Sequence, residues 1–209
     1  MIHSALGSIQ PCQPCLLCQV CAAAIAQPIC GGCHRDLPWC RDTRWVQDLA
    51  VQIAFDYAWP MDRLIHLYKY QDRLDLMAVL QFGLTQLQRP DVDALLAVPL
   101  SDARLRERGF NQSHELAKRL GQAWQIPVWT GITRLDGLRQ KGLSRSERLQ
   151  NVANVFSLEG KSNRSLPTRV ALIDDVLTTG STLLSLTQFL KQHGVQQVEA
   201  MVIASRQIK

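Results

Sequence analysis

Val170-Ala171-Leu172-Ile173-Asp174-Asp175-Val176-Leu177-Thr178-Thr179-Gly180-Ser181-Thr182 decides how this chain is read. An apolar run ends in two adjacent acids, and a small turn of hydroxyls and one glycine follows. The run from Arg169 to Val176 predicts a buried strand, and residues 181–193 predict a helix closed by Gly194. A helix N-terminus offers unpaired N–H groups and partial positive charge to an anion. Gly180 lets the backbone approach a ligand without a Cβ in the way. Thr178, Thr179, Ser181 and Thr182 add hydroxyl donors, while Asp174 and Asp175 can accept hydrogen bonds from sugar hydroxyls. A nucleoside triphosphate loop needs Gly-Lys-Ser/Thr, and this turn has no lysine. The chemistry suits a sugar phosphate.

Working outward, strand and helix patterns alternate. Val51, Ile53, Phe55 and Tyr57 alternate as a strand does. Leu64, Leu67 and Tyr68 share a helix face, as do Met77, Leu80, Leu84 and Leu87 within residues 74–87. Residues 94–100 read as a short buried strand, 113–123 as a helix, 126–129 as a further strand and 198–204 as the last one. Residues 157–167 read as a turn-rich linker. Ser144 and Glu147 match a capping box for a short helix. Such alternation predicts an α/β fold with a parallel sheet covered on both faces. Ligands of these sheets bind at the carboxyl ends of strands, here just after Leu100 and just after Asp175.

The first of those places carries Arg104-Leu105-Arg106-Glu107-Arg108-Gly109-Phe110-Asn111-Gln112. The sequence predicts a basic turn there, with Arg104, Arg106 and Arg108 offering guanidinium forks to diphosphate oxygens. Residues 135–151 read as an exposed loop around which Arg134, Arg139, Lys141, Arg145 and Arg148 outnumber Asp136 and Glu147. Such a loop can close over a ligand and exclude water.

All seven cysteines lie between Cys12 and Cys40 of a 209-residue chain. That crowding, without a basic and apolar leader at the start, points to metal rather than to disulfides. Cys12, Cys15, Cys18 and Cys21 recur every third residue, and Cys30 and Cys33 form another pair. Two Cys-x-x-Cys units in one short segment suit tetrahedral zinc, with six thiols competing for four places. A redox pair would leave the crowding unexplained, and an iron–sulfur cluster, which also uses thiolates, is the other alternative. The chain divides near residue 45, into a Cys-rich zinc-binding segment over 1–45 and an α/β domain over 46–209. The formal net charge of +5 weakly favours an anionic partner. Four thiolates on one zinc ion would lower it to about +3. No apolar stretch is long enough to span a membrane, so a cytoplasmic protein with no membrane insertion is expected.

The Asp174–Thr182 stretch resembles the signature of type I phosphoribosyltransferases, which bind 5-phosphoribosyl-1-diphosphate (PRPP). Adding Pro99-Leu100, the Arg-x-Arg-Gly-Phe-Asn-Gln run and the Cys-rich start before Asp36-Leu37-Pro38-Trp39, the chain resembles the ComF/GntX family along its whole length. Lys69, in Tyr-Lys-Tyr, resembles the family's Lys-aromatic motif. Gln140, Leu143, Arg148, Asn151 and Phe156 resemble its Gln-x-x-Leu, Arg-x-x-Asn and Phe pattern. The resemblance implies a type I phosphoribosyltransferase-like sheet flanked by helices, with a small N-terminal zinc knuckle. It implies that Asp174 and Asp175 hold ribose, that Thr178, Thr179, Gly180, Ser181 and Thr182 hold the 5-phosphate, and that magnesium accompanies PRPP. The family's knuckle favours Cys15, Cys18, Cys30 and Cys33 as zinc ligands, with Cys12 and Cys21 as alternates. A second cysteine knuckle after Leu-Pro-Trp is missing here.

Two functions fit. One is a PRPP-binding, phosphoribosyltransferase-like protein tied to DNA uptake in natural competence, whose acceptor, if it is a transferase, the sequence does not identify. The other is a non-catalytic module for single-stranded DNA, with Trp39 or Trp45 stacking on bases. The family name also implies the competence helicase machinery as a partner.

Overall fold

The computed structural model describes residues 13–18, 22–23, 27–71, 73–135, 155–158 and 166–206. The main sheet has five strands. They are β3 (Trp39–Val46), β4 (Leu49–Asp56), β5 (Ala94–Ala97), β8 (Arg169–Leu177) and β9 (Gln197–Ser205), in the order β3-β4-β9-β8-β5. β4, β9, β8 and β5 run parallel. β3 pairs antiparallel to β4 at the edge, a hairpin absent from the sequence reading. The short strands β1 (Gln13–Pro14) and β2 (Ala22–Ala23) pair with each other, as do β6 (Ile132–Arg134) and β7 (Phe156–Leu158). β7 overlaps the start of the stretch read as linker, at Ser157 and Leu158.

The helices among the described residues are α1 (Gly31–Asp36), α2 (Met61–Tyr70), α3 (Met77–Thr85), α4 (Asp102–Arg108), α5 (Gln112–Trp124) and α6 (Ser181–Gln192). The helix expected over 74–87 opens as a 3-10 turn, Leu74–Leu76, before α3. The strand expected over 126–129 shrinks to one bridge, Val128 to Leu95. Pro127 has no N–H with which to extend a ladder there.

Alternation along the inner strands divides the core. On β8, Val170 and Leu172 pack with Leu183, Leu186 and Leu190 of α6. Ala171 and Ile173 face α2, α3 and α5 through Ile65, Tyr68, Leu80, Leu84, Leu116 and Leu120. Both faces of β8 and β9 are thus dry, which is why their sequences read as nearly continuous apolar runs.

The cysteine segment joins this core. Cys15, Ile29, Cys30 and Leu37 are buried in the same cluster as Tyr68 and Leu80. Strand β3 runs across residue 45 as part of the main sheet. No helix among the described residues is long and apolar enough to cross a membrane.

Candidate functional site

β5 and β8 are neighbours with the same direction, so both carboxyl ends reach one edge of the sheet. β8 delivers Asp174 and Asp175 to that edge. The two carboxyls stay close enough for each charge to act on the other, and each meets its own partner. Ser113 Oγ, at the start of α5, donates to Asp174 Oδ1 at 3.1 Å. The Asp175 backbone N–H donates to the same oxygen at 2.9 Å. Lys69, near the end of α2, forms an ion pair with Asp175 at 2.6 Å, with both side chains 14% exposed. Burial, reinforced by the Asp175 charge, pushes the Asp174 carboxyl up to about 7. Lys69 and the two hydrogen bonds oppose that shift without cancelling it.

Val176, Leu177, Thr178, Gly180, Ser181, Thr182 and Leu183 line a depression of about 40 Å³ beside Asp174. Gly180 is left-handed, at φ 74°, and heads α6. A Cβ there would lie 2.7 Å from Val46 Cγ1 of β3. Position 180 therefore requires glycine for two reasons, conformation and space. Thr179 Oγ1 accepts from the Ser181 N–H at 3.4 Å and donates to Ser181 Oγ at 3.1 Å, which holds the turn open-sided. Thr178, Thr179 and Ser181 are exposed.

The Arg104–Arg108 segment is helical, which corrects the expected turn. Ser101 caps α4 by accepting from the Arg104 N–H, and Gly109, at φ 74°, ends it. Successive residues of a helix are about 100° apart. Arg104 and Arg108 thus share a side, and Arg106 points the other way. Arg108 is already engaged, donating to Tyr70 Oη at 3.1 Å and to Gln112 Oε1 at 3.3 Å. Asn111 caps α5 with its Oδ1 and donates to the Val98 carbonyl at 3.1 Å. The Arg-Gly-Phe-Asn-Gln run is mainly a joint. It locks α2, β5 and α5 together and sets Ser113 against Asp174.

Ser113 escaped the sequence reading, although it directly follows that run. Of the expected loop, residues 136–154 lie outside the described residues, with Arg139, Gln140, Lys141, Leu143, the Ser144–Glu147 capping pair, Arg145, Arg148 and Asn151. Phe156 is buried on β7.

Cys15, Cys18, Cys30 and Cys33 come together, with all four Sγ atoms within 4.8 Å of one another. A tetrahedron with metal–sulfur bonds of about 2.3 Å has edges of about 3.8 Å. The Cys18–Cys30 separation is 3.9 Å. The Cys30 N–H points at Cys15 Sγ at 3.2 Å, and the Cys33 N–H at Cys30 Sγ at 3.5 Å. Both donors suit a thiolate. Burial and the neighbouring thiols push the Cys33 thiol up. The four cysteines can hold a metal ion, and the donor set fits zinc. Cys12 and Cys21 lie outside the described residues. His34 is not among the four. Its ring packs on Trp39 at 4.9 Å, and its carbonyl accepts from Trp39 Nε1 at 2.6 Å. With Arg41 stacked over it at 4.0 Å, Trp39 is spent on packing, whereas Trp45 is 70% exposed.

The sequence matches a known family and known proteins. Residues 96–209 match the family described as "Phosphoribosyl transferase domain". Competence protein F of Haemophilus influenzae is 34% identical over 196 residues, covering 85% of this chain and 84% of that protein. DNA utilization protein YhgH of Escherichia coli O157:H7 is 34% identical, covering 81% and 74%. The orotate phosphoribosyltransferase structure from Aeropyrum pernix overlays with a TM-score of 0.41 at 16% identity, covering 66% of this chain and 64% of that one. The chain belongs to the phosphoribosyl transferase domain family and, within it, to the group that contains competence protein F and YhgH.

Proposed function

We propose that this chain binds PRPP or a close ribose 5-phosphate relative at the carboxyl edge of β5 and β8, and serves the handling of DNA in the cytoplasm. The relatives' names motivate the handling of DNA. The first half rests on one observation: Asp174 and Asp175, braced by Ser113 and Lys69, stand beside an open hydroxyl turn that heads a helix. The ribose 2- and 3-hydroxyls donate to the two carboxylates. The 5-phosphate sits against the N–H groups and hydroxyls of residues 178–182. Lys69 holds Asp175 ionised and oriented, so it acts as a positioning residue. Arg104 lies on the side of α4 that includes the engaged Arg108 and reaches toward the diphosphate. Arg106, turned away, contributes only long-range charge.

The chain's share in a transfer reaction is to orient C1 of ribose and steady charge as diphosphate departs, which is positioning and electrostatics rather than proton transfer. Asp174 and Asp175 are the acids that would hold a magnesium ion accompanying the ligand, and the ion would supply neutralisation of the leaving group. Zinc on Cys15, Cys18, Cys30 and Cys33 is structural.

Calorimetry with PRPP and magnesium tests this reading. Wild type is expected to bind, and Asp174→Asn and Asp175→Asn are each expected to weaken binding at least about tenfold, the worth of a charge-assisted hydrogen bond. Undetectable binding to wild type overturns it. A DNA-binding module is the second reading, favoured by the exposed indole of Trp45. Trp45→Ala then weakens single-stranded DNA binding by about 1–3 kcal/mol. An unchanged binding curve removes that reading.

A further inference from the structure

Gln112 opens α5 and is 1% exposed, yet it carries a polar amide into the interior. A buried amide costs free energy unless both of its ends are paired. Here both are. The Arg108 guanidinium donates to its Oε1 at 3.3 Å, and its Nε2 donates to the Lys69 carbonyl at 3.5 Å. Tyr68 Oη donates to its main-chain carbonyl at 3.3 Å. The Lys69 carbonyl belongs to the last turn of α2, where no following helical N–H reaches it. A guanidinium only donates and a carbonyl only accepts, so the side chain between them must do both. A carboxylate, an ammonium or a thioether fails at one end or at both, and asparagine is shorter by a methylene. The two residues that Gln112 joins are the braces of the acids. Lys69 pairs with Asp175 at 2.6 Å, and Ser113, directly after Gln112, donates to Asp174 at 3.1 Å. Contacts and peptide bonds thus close a ring that runs from Asp174 through Ser113, Gln112, Lys69 and Asp175 back to Asp174.

We propose that Gln112 is the positioning residue that holds the two carboxylates at the spacing of the ribose cis-diol and so sets a preference for ribose over 2-deoxyribose. This rests on the ribose 5-phosphate reading above. Gln112 touches no ligand and acts through Lys69 and Ser113. Because the ring is closed, α2 cannot shift against α5 without moving both braces at once. If the Gln112 link is cut, Lys69 moves with α2, Ser113 moves with α5, and the carboxylates lose their fixed separation. One hydroxyl can still find one carboxylate, whereas two neighbouring hydroxyls need both acids in register. The phosphate turn is held separately, by Val46 behind Gly180 and by the bonds between Thr179 and Ser181, and it keeps its grip.

Calorimetry with ribose 5-phosphate and 2-deoxyribose 5-phosphate reads the spacing. Wild type is expected to prefer the ribose form about tenfold or more, the worth of a hydrogen bond to a charged group. Gln112→Glu keeps the shape and the Arg108 bond but turns an acceptor toward the Lys69 carbonyl. Gln112→Met keeps the volume and breaks both side-chain bonds. Both are expected to lower the preference to about threefold or less, with affinity for 2-deoxyribose 5-phosphate held within about twofold. Ser113→Ala breaks the ring at another link and is expected to give the same loss, and Gln112→Met combined with Ser113→Ala no more than either alone. An intact preference in the two Gln112 variants overturns the proposal, and so does equal weakening of both sugars, which marks a packing role. Should Gln112→Met not fold, Gln112→Glu and Ser113→Ala decide the matter. If wild type binds neither sugar phosphate, the parent reading has failed instead, and the positioning role falls with it.

Discussion

Replacing Asp174 by asparagine should make the unliganded protein more stable while impairing its site. The folded protein holds this carboxyl at about 7, against about 3.9 for an unperturbed aspartate. Between those values the folded state retains a proton that the unfolded state has released. Stability therefore falls as pH rises from about 4 to about 7, and the penalty is complete above that range. Three units at about 1.36 kcal/mol each set a ceiling near 4 kcal/mol. Partial solvent access and the shared field of Asp175 and Lys69 reduce this to about 1–2 kcal/mol. The asparagine Oδ1 can still accept from Ser113 Oγ and from the Asp175 N–H, so neither donor is stranded. At pH 8 the melting temperature should rise by about 2–8 °C for a chain of this size. At pH 4.5 the two proteins should melt nearly together. Thermal melts across that pH range, without ligand, provide the test. An equal or lower melting temperature for Asp174→Asn at pH 8 would refute the premise that this carboxylate is strained in the resting protein.

Lys69→Met removes the cation of a pair that is 14% exposed on both sides. It should destabilise by about 3–5 kcal/mol at neutral pH, recovering in acid as the acids protonate, a pattern visible in urea melts at two pH values. Gly180→Ala forces a Cβ into a left-handed turn and onto Val46. A loss of about 2–4 kcal/mol is expected from conformation and overpacking together, along with loss of ribose 5-phosphate binding. Stripping metal with a chelator should lower the melting temperature, because Cys15 and Cys30 lie inside the main core cluster. The near-ultraviolet spectrum should change as Trp39 loosens. A melt indifferent to chelation would count against a structural metal.

Much of this was legible in the chain, and the failures have physical causes. β8, β9 and α6 declared themselves because burial on both sheet faces, or on one helix stripe, imposes a hydrophobic pattern. β3 did not. It is an edge strand whose Arg41, Asp42 and Thr43 face solvent, so no alternation marks it. α4 buries none of its residues, and three arginines disguised it as a turn. Its signals were the Ser101 cap and Gly109 seven residues beyond Asp102, not an apolar period. The acids and their hydroxyl turn were readable as local sequence. Their supports were not, since Lys69 and Ser113 meet Asp175 and Asp174 only through the packing of α2 and α5. Arg104, Arg106 and Arg108 looked equivalent as a string, and only a helix separates their directions. Among the described residues the clustered cysteines are Cys15, Cys18, Cys30 and Cys33, while the alternates Cys12 and Cys21 lie outside them.

Val46 has a further consequence. The space left by the missing side chain of Gly180 is filled by a residue from the opening hairpin. The recognisable family pattern begins at residue 96, after that hairpin and after Lys69. A fragment cut to the pattern would lack the buttress behind its phosphate turn. It would also present the bare flank of β9, from Ala200 to Ser205, where β4 belongs, and such a flank recruits foreign strands. The smallest piece that can be recognised is therefore smaller than the smallest piece that can stand alone.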